Sequence, residues 1–218
     1  MKKLSLFLKK PEGKLIGGVA VVIVLLFGYY FYALSNGSAV PVKDVVISDT
    51  DHVRGALYGK VTLVEFGDFQ CPACGAYEPL VRQVTQDNPT ILKVVFRHYP
   101  LTQIHQNALL AAKAGEAASI QGKFWEMHDM LYDNQKTWSN GINAREYFLT
   151  YATTLKLDIA KFTSDMDSPA VEAKILAEYK EGTQLGIQGT PTFFLNGKMI
   201  QNPQSIDAFN TLIREAAK

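Results

Sequence analysis

The chain has 218 residues, 47% apolar and 20% charged, which supplies one domain with additions and a sizeable core. Its formal net charge of +1 hides an asymmetry: Lys2, Lys3, Lys9, Lys10 and Lys14 face only Glu12 in the first 40 residues, and the remainder holds 17 basic and 20 acidic residues. That balance excludes a basic nucleic-acid-binding face, and two cysteines three positions apart exclude a multi-bridge disulfide scaffold.

Residues 1–14 read as a basic cytoplasmic tail. Leu15 to Leu34 follows with no charge, long enough as a helix (roughly 30 Å) to span one hydrocarbon core. The lysines before it and the aromatic cluster Tyr29–Tyr32 after it predict a membrane anchor with its N-terminus inside. Small residues around Ser35 and Ala39 leave a cleaved signal peptide as the alternative. Either reading exports the rest of the chain, and residues 35–50 read as linker. No cysteine lies near the segment, so a lipid anchor is excluded.

Asp44 to Ser48 is expected to form a short first strand or edge, and Asp51 to Lys60 is polar and turn-rich. Val61 to Phe66 is an apolar run fit for a strand buried on both faces, broken only by Glu65. It delivers Cys71 and Cys74 to a helix start, with Cys71 as N-cap and Pro72 at the first helical position. A Cys-x-x-Cys at a strand-to-helix junction is a redox signature. The helix is expected to run to about Asp87, kinked at Pro79. Ile91 to Phe96 is the next strand.

His105 to Leu131 is helix-forming, with Gly122 as a divider. Further helices are expected over Ala144–Lys156 and Asp158–Met166, and one opening on Ser168-Pro169 and ending at Gly186. Thr192–Leu195 and Lys198–Gln201 read as a hairpin around Asn196-Gly197. Ser205 caps a last amphipathic helix with Ile206, Phe209, Leu212 and Ile213 inward. Phe124, Trp125, Phe148 and Tyr151 recur at helical spacing and read as core rather than a substrate platform.

VEFGDFQCPAC with a distant GTPTFFLNG resembles the thioredoxin fold, and the helical block between them resembles the DsbA-like branch of exported disulfide oxidoreductases. The similarity covers about residues 45–218. The resemblance implies an α/β thioredoxin fold: a first half over 51–104, a helical insertion over 105–186 and a second half over 187–218, preceded here by a transmembrane helix. Glu65 matches the family's buried acid and Pro79 its helix-kinking proline. An X-Pro bond is ordinarily trans. The resemblance instead implies a cis Thr190-Pro191 beside the active site, offering the backbone of Thr190 to an extended substrate. Pro72-Ala73 between the cysteines departs from the proline-histidine of the best-known member, and this dipeptide is expected to tune the redox potential.

A thiolate at Cys71 faces free N–H groups and the positive end of the helix, which lowers its pKa and makes it a good leaving group. Cys71 is therefore the expected nucleophile and the exposed sulfur, Cys74 the buried resolving thiol, and Glu65 a proton shuttle for Cys74. The function expected is a disulfide donor for exported protein thiols, monomeric, with a membrane partner that re-oxidises the pair. No cofactor is expected beyond the Cys71–Cys74 disulfide. The alternatives are a reductase or isomerase of the same fold, or a non-catalytic metal- or peptide-binding module. Zinc would need two more ligands, and His52, His98, His105 and His128 form no recognisable pair, so no metal is expected. His98 and His105 read as capping or surface side chains.

Overall fold

The computed structural model describes residues 23–32 and 45–218. The chain divides into two units, residues 1–42 and 43–218. In the first, residues 23–32 are helical, with large apolar side chains from Ile23 to Tyr32 exposed. No helix among the described residues is long and apolar enough to cross a membrane. The basic tail 1–14, residues 15–22 and 33–34 of the expected anchor, and residues 35–44 of the expected linker lie outside the described residues.

The second unit is built on a five-stranded sheet of order β1-β3-β2-β4-β5. Its strands are β1 (His52–Gly55), β2 (Val61–Gly67), β3 (Leu92–His98), β4 (Thr192–Leu195) and β5 (Lys198–Met199). β2 and β3 are parallel, joined by helix α1 (Pro72–Asp87); the other neighbours pair antiparallel. Between β3 and β4 run α2 (Ala108–Ser119), α3 (Phe124–Asp133), α4 (Gln135–Trp138), α5 (Ala144–Thr154), α6 (Ile159–Met166) and α7 (Pro169–Gln184), and the unit closes with α8 (Ile206–Ala216).

Strand alternation sorts β2 onto two cores. Val61 and Leu63 pack with Val81, Val84, Phe193, Phe209 and Ile213, under α1 and α8. Val64 and Phe66 pack with Val95, Phe194, Leu185 and Ile187 on the opposite face. Glu65, in step with Val61 and Leu63, therefore points toward the α1 side. The helical block has a third core around the fully buried Trp138, Phe148 and Phe162, each contributing on the order of 1.5–3 kcal/mol by burial. Cys71 and Cys74 pack against this core. Phe124, Phe148 and Tyr151 are buried in it, as expected of core residues.

Local signals account for most boundaries. Ser168, Asp158 and Ser205 cap α7, α6 and α8 by accepting from Ala170, Lys161 and Ala208 N–H groups. Gly122, at φ +74°, separates α2 from α3, and Asn196 and Gly197, both at positive φ, turn the β4–β5 hairpin. Three expectations are corrected. Residues 45–48 are not a strand: Val45 makes one backbone hydrogen bond to Gly197 and buries its side chain in the core. The first strand lies instead within the polar stretch, His52–Gly55, because β3 leaves an edge free for antiparallel pairing. β5 is only two residues long, since Asn202 and Pro203 carry the chain away toward α8.

Candidate active site

Asp68, in the turn that joins β2 to α1, holds the loop before the cysteines. Its Oδ1 accepts from Gln70 N–H at 2.7 Å, and its Oδ2 accepts from Leu101 N–H at 2.9 Å and meets His105 Nδ1 at 2.7 Å. Its carbonyl accepts from Cys71 N–H at 3.0 Å. Gln135 of α4 straps the same loop from the other side: its Nε2 donates to the carbonyls of Phe69 and Cys71 at 2.7 and 2.8 Å. Gly75 makes room for this strap, as a Cβ there would lie 2.6 Å from Gln135 Oε1. A cleft of about 610 Å³ opens beside Pro72, lined by Gln70, Gly75, Ile104, His105 and Gln135.

Cys71 is the N-cap of α1, with extended backbone (φ −66°, ψ 121°) and Pro72 at N1. The two thiols are unbonded to each other, so the geometry is that of the reduced pair. The Cys71 thiol donates to the Thr190 carbonyl at 3.3 Å, and the Thr190–Pro191 bond is cis, as the resemblance implies. Only 7% of Cys71 is exposed. The sulfur expected to stand free thus sits in a recess against the Thr190 carbonyl, from which a partner thiol must reach it.

The Cys71 pKa falls from 9.0 to about 5. The hydrogen bond from the Cys74 thiol is the largest cause; burial opposes it, while Thr190 and the N–H groups of Cys74 and Ala73 add to it. The Thr190 hydroxyl is buried with no hydrogen-bond partner among the described residues. It is available as a donor once the Cys71 thiol ionises and no longer donates to the carbonyl. Pro72 and Ala73 contribute no polar side chain. They act through backbone only: one starts the helix, the other supplies an N–H.

Cys74 is fully buried, and burial pushes its pKa well up, helped by Cys71 and Glu65. Glu65, 2% exposed, is likewise pushed up by burial first and then by Glu78. A raised carboxyl beside a raised thiol is the arrangement a proton exchange between them requires. Glu78 lies four residues after Cys74, on the same face of α1. Arg54 at 3.6 Å and Arg82 at 3.2 Å hold it.

His98 is not a surface side chain: it is fully buried, its Nε2 2.9 Å from Glu116 Oε1. His52 Nε2 reaches the same oxygen at 2.6 Å, so the fold pairs two histidines that sequence spacing left apart. Among the described residues, two clusters have spacing that would suit a metal, His52–His98–Glu116 and Glu78–His128–Asp129. Each already holds the protein's own cations. Lys174 Nζ lies 2.6 Å from Glu116, 2.7 Å from Glu178 and 3.1 Å from His52, and Arg54 and Arg82 bind the carboxylates of the second cluster. Burial raises the Glu116 pKa, but the His52 and His98 hydrogen bonds outweigh it and hold the group well below the usual carboxylate range, while burial lowers that of His52. Ionised Glu116 paired with Lys174 and a neutral His52 is the arrangement these contacts favour.

Sequence reading singled out Cys71, Cys74, Glu65, Thr190 and Pro191, and the fold brings all five together. It missed Asp68, Gln135 and Glu78. An acid two residues before a turn N–H is an Asx-turn signal, which marks Asp68; nothing local marks the other two.

The thioredoxin family profile, described as "Thioredoxin", matches residues 47–215. The chain is 42% identical over 169 residues to the Na(+)/H(+) antiporter NhaA 1 of Salinispora arenicola, an alignment covering 77% of this chain and 25% of the antiporter. The chain spans about a quarter of the length of that relative. Among solved structures, a thioredoxin-like oxidoreductase from Silicibacter pomeroyi superposes with a TM-score of 0.64 at 26% identity, covering 78% of this chain and 91% of that one. The thiol-disulfide exchange protein alpha-DsbA2 from Wolbachia pipientis superposes with a TM-score of 0.67 at 21% identity, covering 77% and 88%.

Proposed function

Because the chain belongs to the thioredoxin family, we propose that it is a thiol–disulfide oxidoreductase that donates the Cys71–Cys74 disulfide to the thiols of exported proteins. The observation that carries this reading is the recessed Cys71 at the N-cap of α1, with its pKa at about 5. At neutral pH such a thiol is ionised. Its thiolate is stabilised in the reduced state, which raises the oxidising power of the disulfide.

A substrate thiolate attacks Cys71 Sγ and the Cys71–Cys74 bond breaks. The electron pair leaves on Cys74, which takes a proton from Glu65. A second substrate thiolate attacks the substrate sulfur of the mixed disulfide, forms the substrate disulfide and expels Cys71 as its stable thiolate. Two electrons pass to the protein, and a membrane partner that re-oxidises the pair would take them away. Delivery outside the membrane, with residues 15–34 as tether, accompanies this reading. The apolar character of that stretch and the lysines before it support the tether.

The direct test mixes oxidised protein with a reduced, unfolded test protein and follows disulfide formation. The expected result is transfer by the wild type and none by Cys71→Ser; Cys74→Ser, loaded beforehand as its Cys71–glutathione mixed disulfide, is expected to exchange glutathione for the test protein and to hold that mixed disulfide. Undiminished transfer by Cys71→Ser would overturn the reading.

A further inference from the structure

His128 lies on α3, 1% exposed, enclosed by the rings of Phe69, Phe96, Trp125 and Tyr132 at centroid distances of 5.4, 4.9, 4.9 and 5.0 Å. An apolar ring would fill this space equally well. The imidazole instead has its two nitrogens in different surroundings. Nδ1 lies 3.0 Å from Asp129 Oδ1, a carboxylate 31% exposed. Nε2 has no hydrogen-bond partner among the described residues and stands 4.0 Å from Oε2 of Glu78, which is 3% exposed. A buried ring nitrogen left without a bond is costly and calls for a reason. Arg54 and Arg82 contact both Glu78 and Asp129. An ionised carboxylate accepts only, so the contact with Asp129 places a proton on Nδ1 and leaves Nε2 facing Glu78.

We propose that His128 is a proton relay that connects the buried Cys74–Glu65 pair, through Glu78, to solvent at Asp129. The proposal rests on the thiol–disulfide reading above. Cys74 and Glu65 are sealed from water, yet every turnover moves a proton to or from Cys74. Glu78, one turn after Cys74 on α1, is the carboxylate whose charge acts most strongly on Glu65. When Cys74 resolves a mixed disulfide, its proton goes to the Glu65 carboxylate, then to Glu78, then to His128 Nε2. The Nδ1 proton leaves to Asp129 and to water. The Cys74 thiolate attacks Cys71 Sγ, the Cys71–Cys74 bond forms, and the partner thiolate departs. One proton is released, and no external oxidant is needed beyond the mixed disulfide itself. His128 touches neither sulfur, so it is a positioning and relay residue.

The test uses the full reduced chain and oxidised glutathione, with acid quenching and mass measurement of the Cys71–glutathione intermediate. His128→Phe is expected to resolve this intermediate at least ~10-fold more slowly, with a larger solvent deuterium effect, while its dithiol–disulfide equilibrium with glutathione stays within about twofold of the wild type. His128→Gln keeps polar atoms but cannot pass a proton from one ring nitrogen to the other. It is expected to be slow as well, and it carries the test if the Phe variant does not fold. A folded variant that resolves at the wild-type rate overturns the relay. So does a rate and an equilibrium that fall by the same factor, as a purely structural role would give. A wild type that forms no mixed disulfide overturns the thiol–disulfide reading and the relay with it.

Discussion

At the residue scale, the chemistry depends on how the fold divides two cysteines into an ionised one and a protonated one. Cys71 takes N–H groups at the helix start, and Cys74, three residues on, is sealed under the helical block. The Thr190 hydroxyl is the one donor in this set that a single substitution removes cleanly. Thr190→Val is expected to raise the Cys71 pKa by about one unit, since a hydrogen bond to a charged group contributes about 1.5 kcal/mol. Ultraviolet thiolate absorbance against pH measures it, and an unchanged titration would contradict the role. Stability has a matching pH dependence. The folded thiol ionises at about 5 and an ordinary one at 9.0. Between these values the unfolded dithiol holds a proton that the folded one has lost, so the reduced protein gains stability as pH rises through that window. The oxidised protein has no such proton, and Cys74, shifted upward, acts only above the window. Denaturant midpoints of the two redox forms should therefore move apart in favour of the reduced form from acid to mildly basic pH; a constant difference would contradict the ionised Cys71. The pair and its acid were legible because a cysteine spacing and a lone carboxylate in an apolar strand are local features. Asp68 carries a local Asx-turn signal, but its hold on Leu101 and His105 appears only once β3 lies beside β2, and Thr190 meets Cys71 only when β4 does.

At the element scale, close approach fixes the active-site turn. Gly67 ends β2 where a Cβ would lie 2.4 Å from Phe96 Cε2 and 3.1 Å from the Tyr132 hydroxyl. Gly67→Ala is expected to cost about 1–3 kcal/mol by overpacking, read from chemical denaturation. Gln135→Ala removes the strap on the Phe69 and Cys71 carbonyls and is expected to cost about 1–2 kcal/mol while slowing thiol exchange, because α1 then starts from a looser turn. An exchange rate identical to wild type would show that the strap serves stability alone. The capped helices and the Asn-Gly hairpin were legible because one or two residues set their geometry. β1 was not: a four-residue strand carries too little periodicity, and pairing with β3 creates it, while β5 was placed by the hairpin but is two residues shorter than expected. The four-residue α4 has no signal of its own length, yet it supplies Gln135 and Trp138.

At the scale of the whole molecule, a buried charge cluster joins the helical block to the sheet. Glu116 of α2 receives His52 of β1, His98 of β3 and Lys174 of α7 on one oxygen, and Glu178 of α7 accepts from the backbone of His98. Lys174→Met leaves an uncompensated buried carboxylate and is expected to cost about 3 kcal/mol, with part of that recovered by adding Glu116→Leu. A loss near zero in the single variant would show that the histidines alone suffice. The alternation of sheet and helical block was legible from hydrophobic pattern, whereas this cluster was not, since its four elements are far apart in sequence. The central claim, an oxidising Cys71–Cys74 disulfide, is tested most directly by its equilibrium with a glutathione redox buffer. The account predicts a potential well above the thioredoxin value of about −270 mV; a potential at or below that value would contradict it.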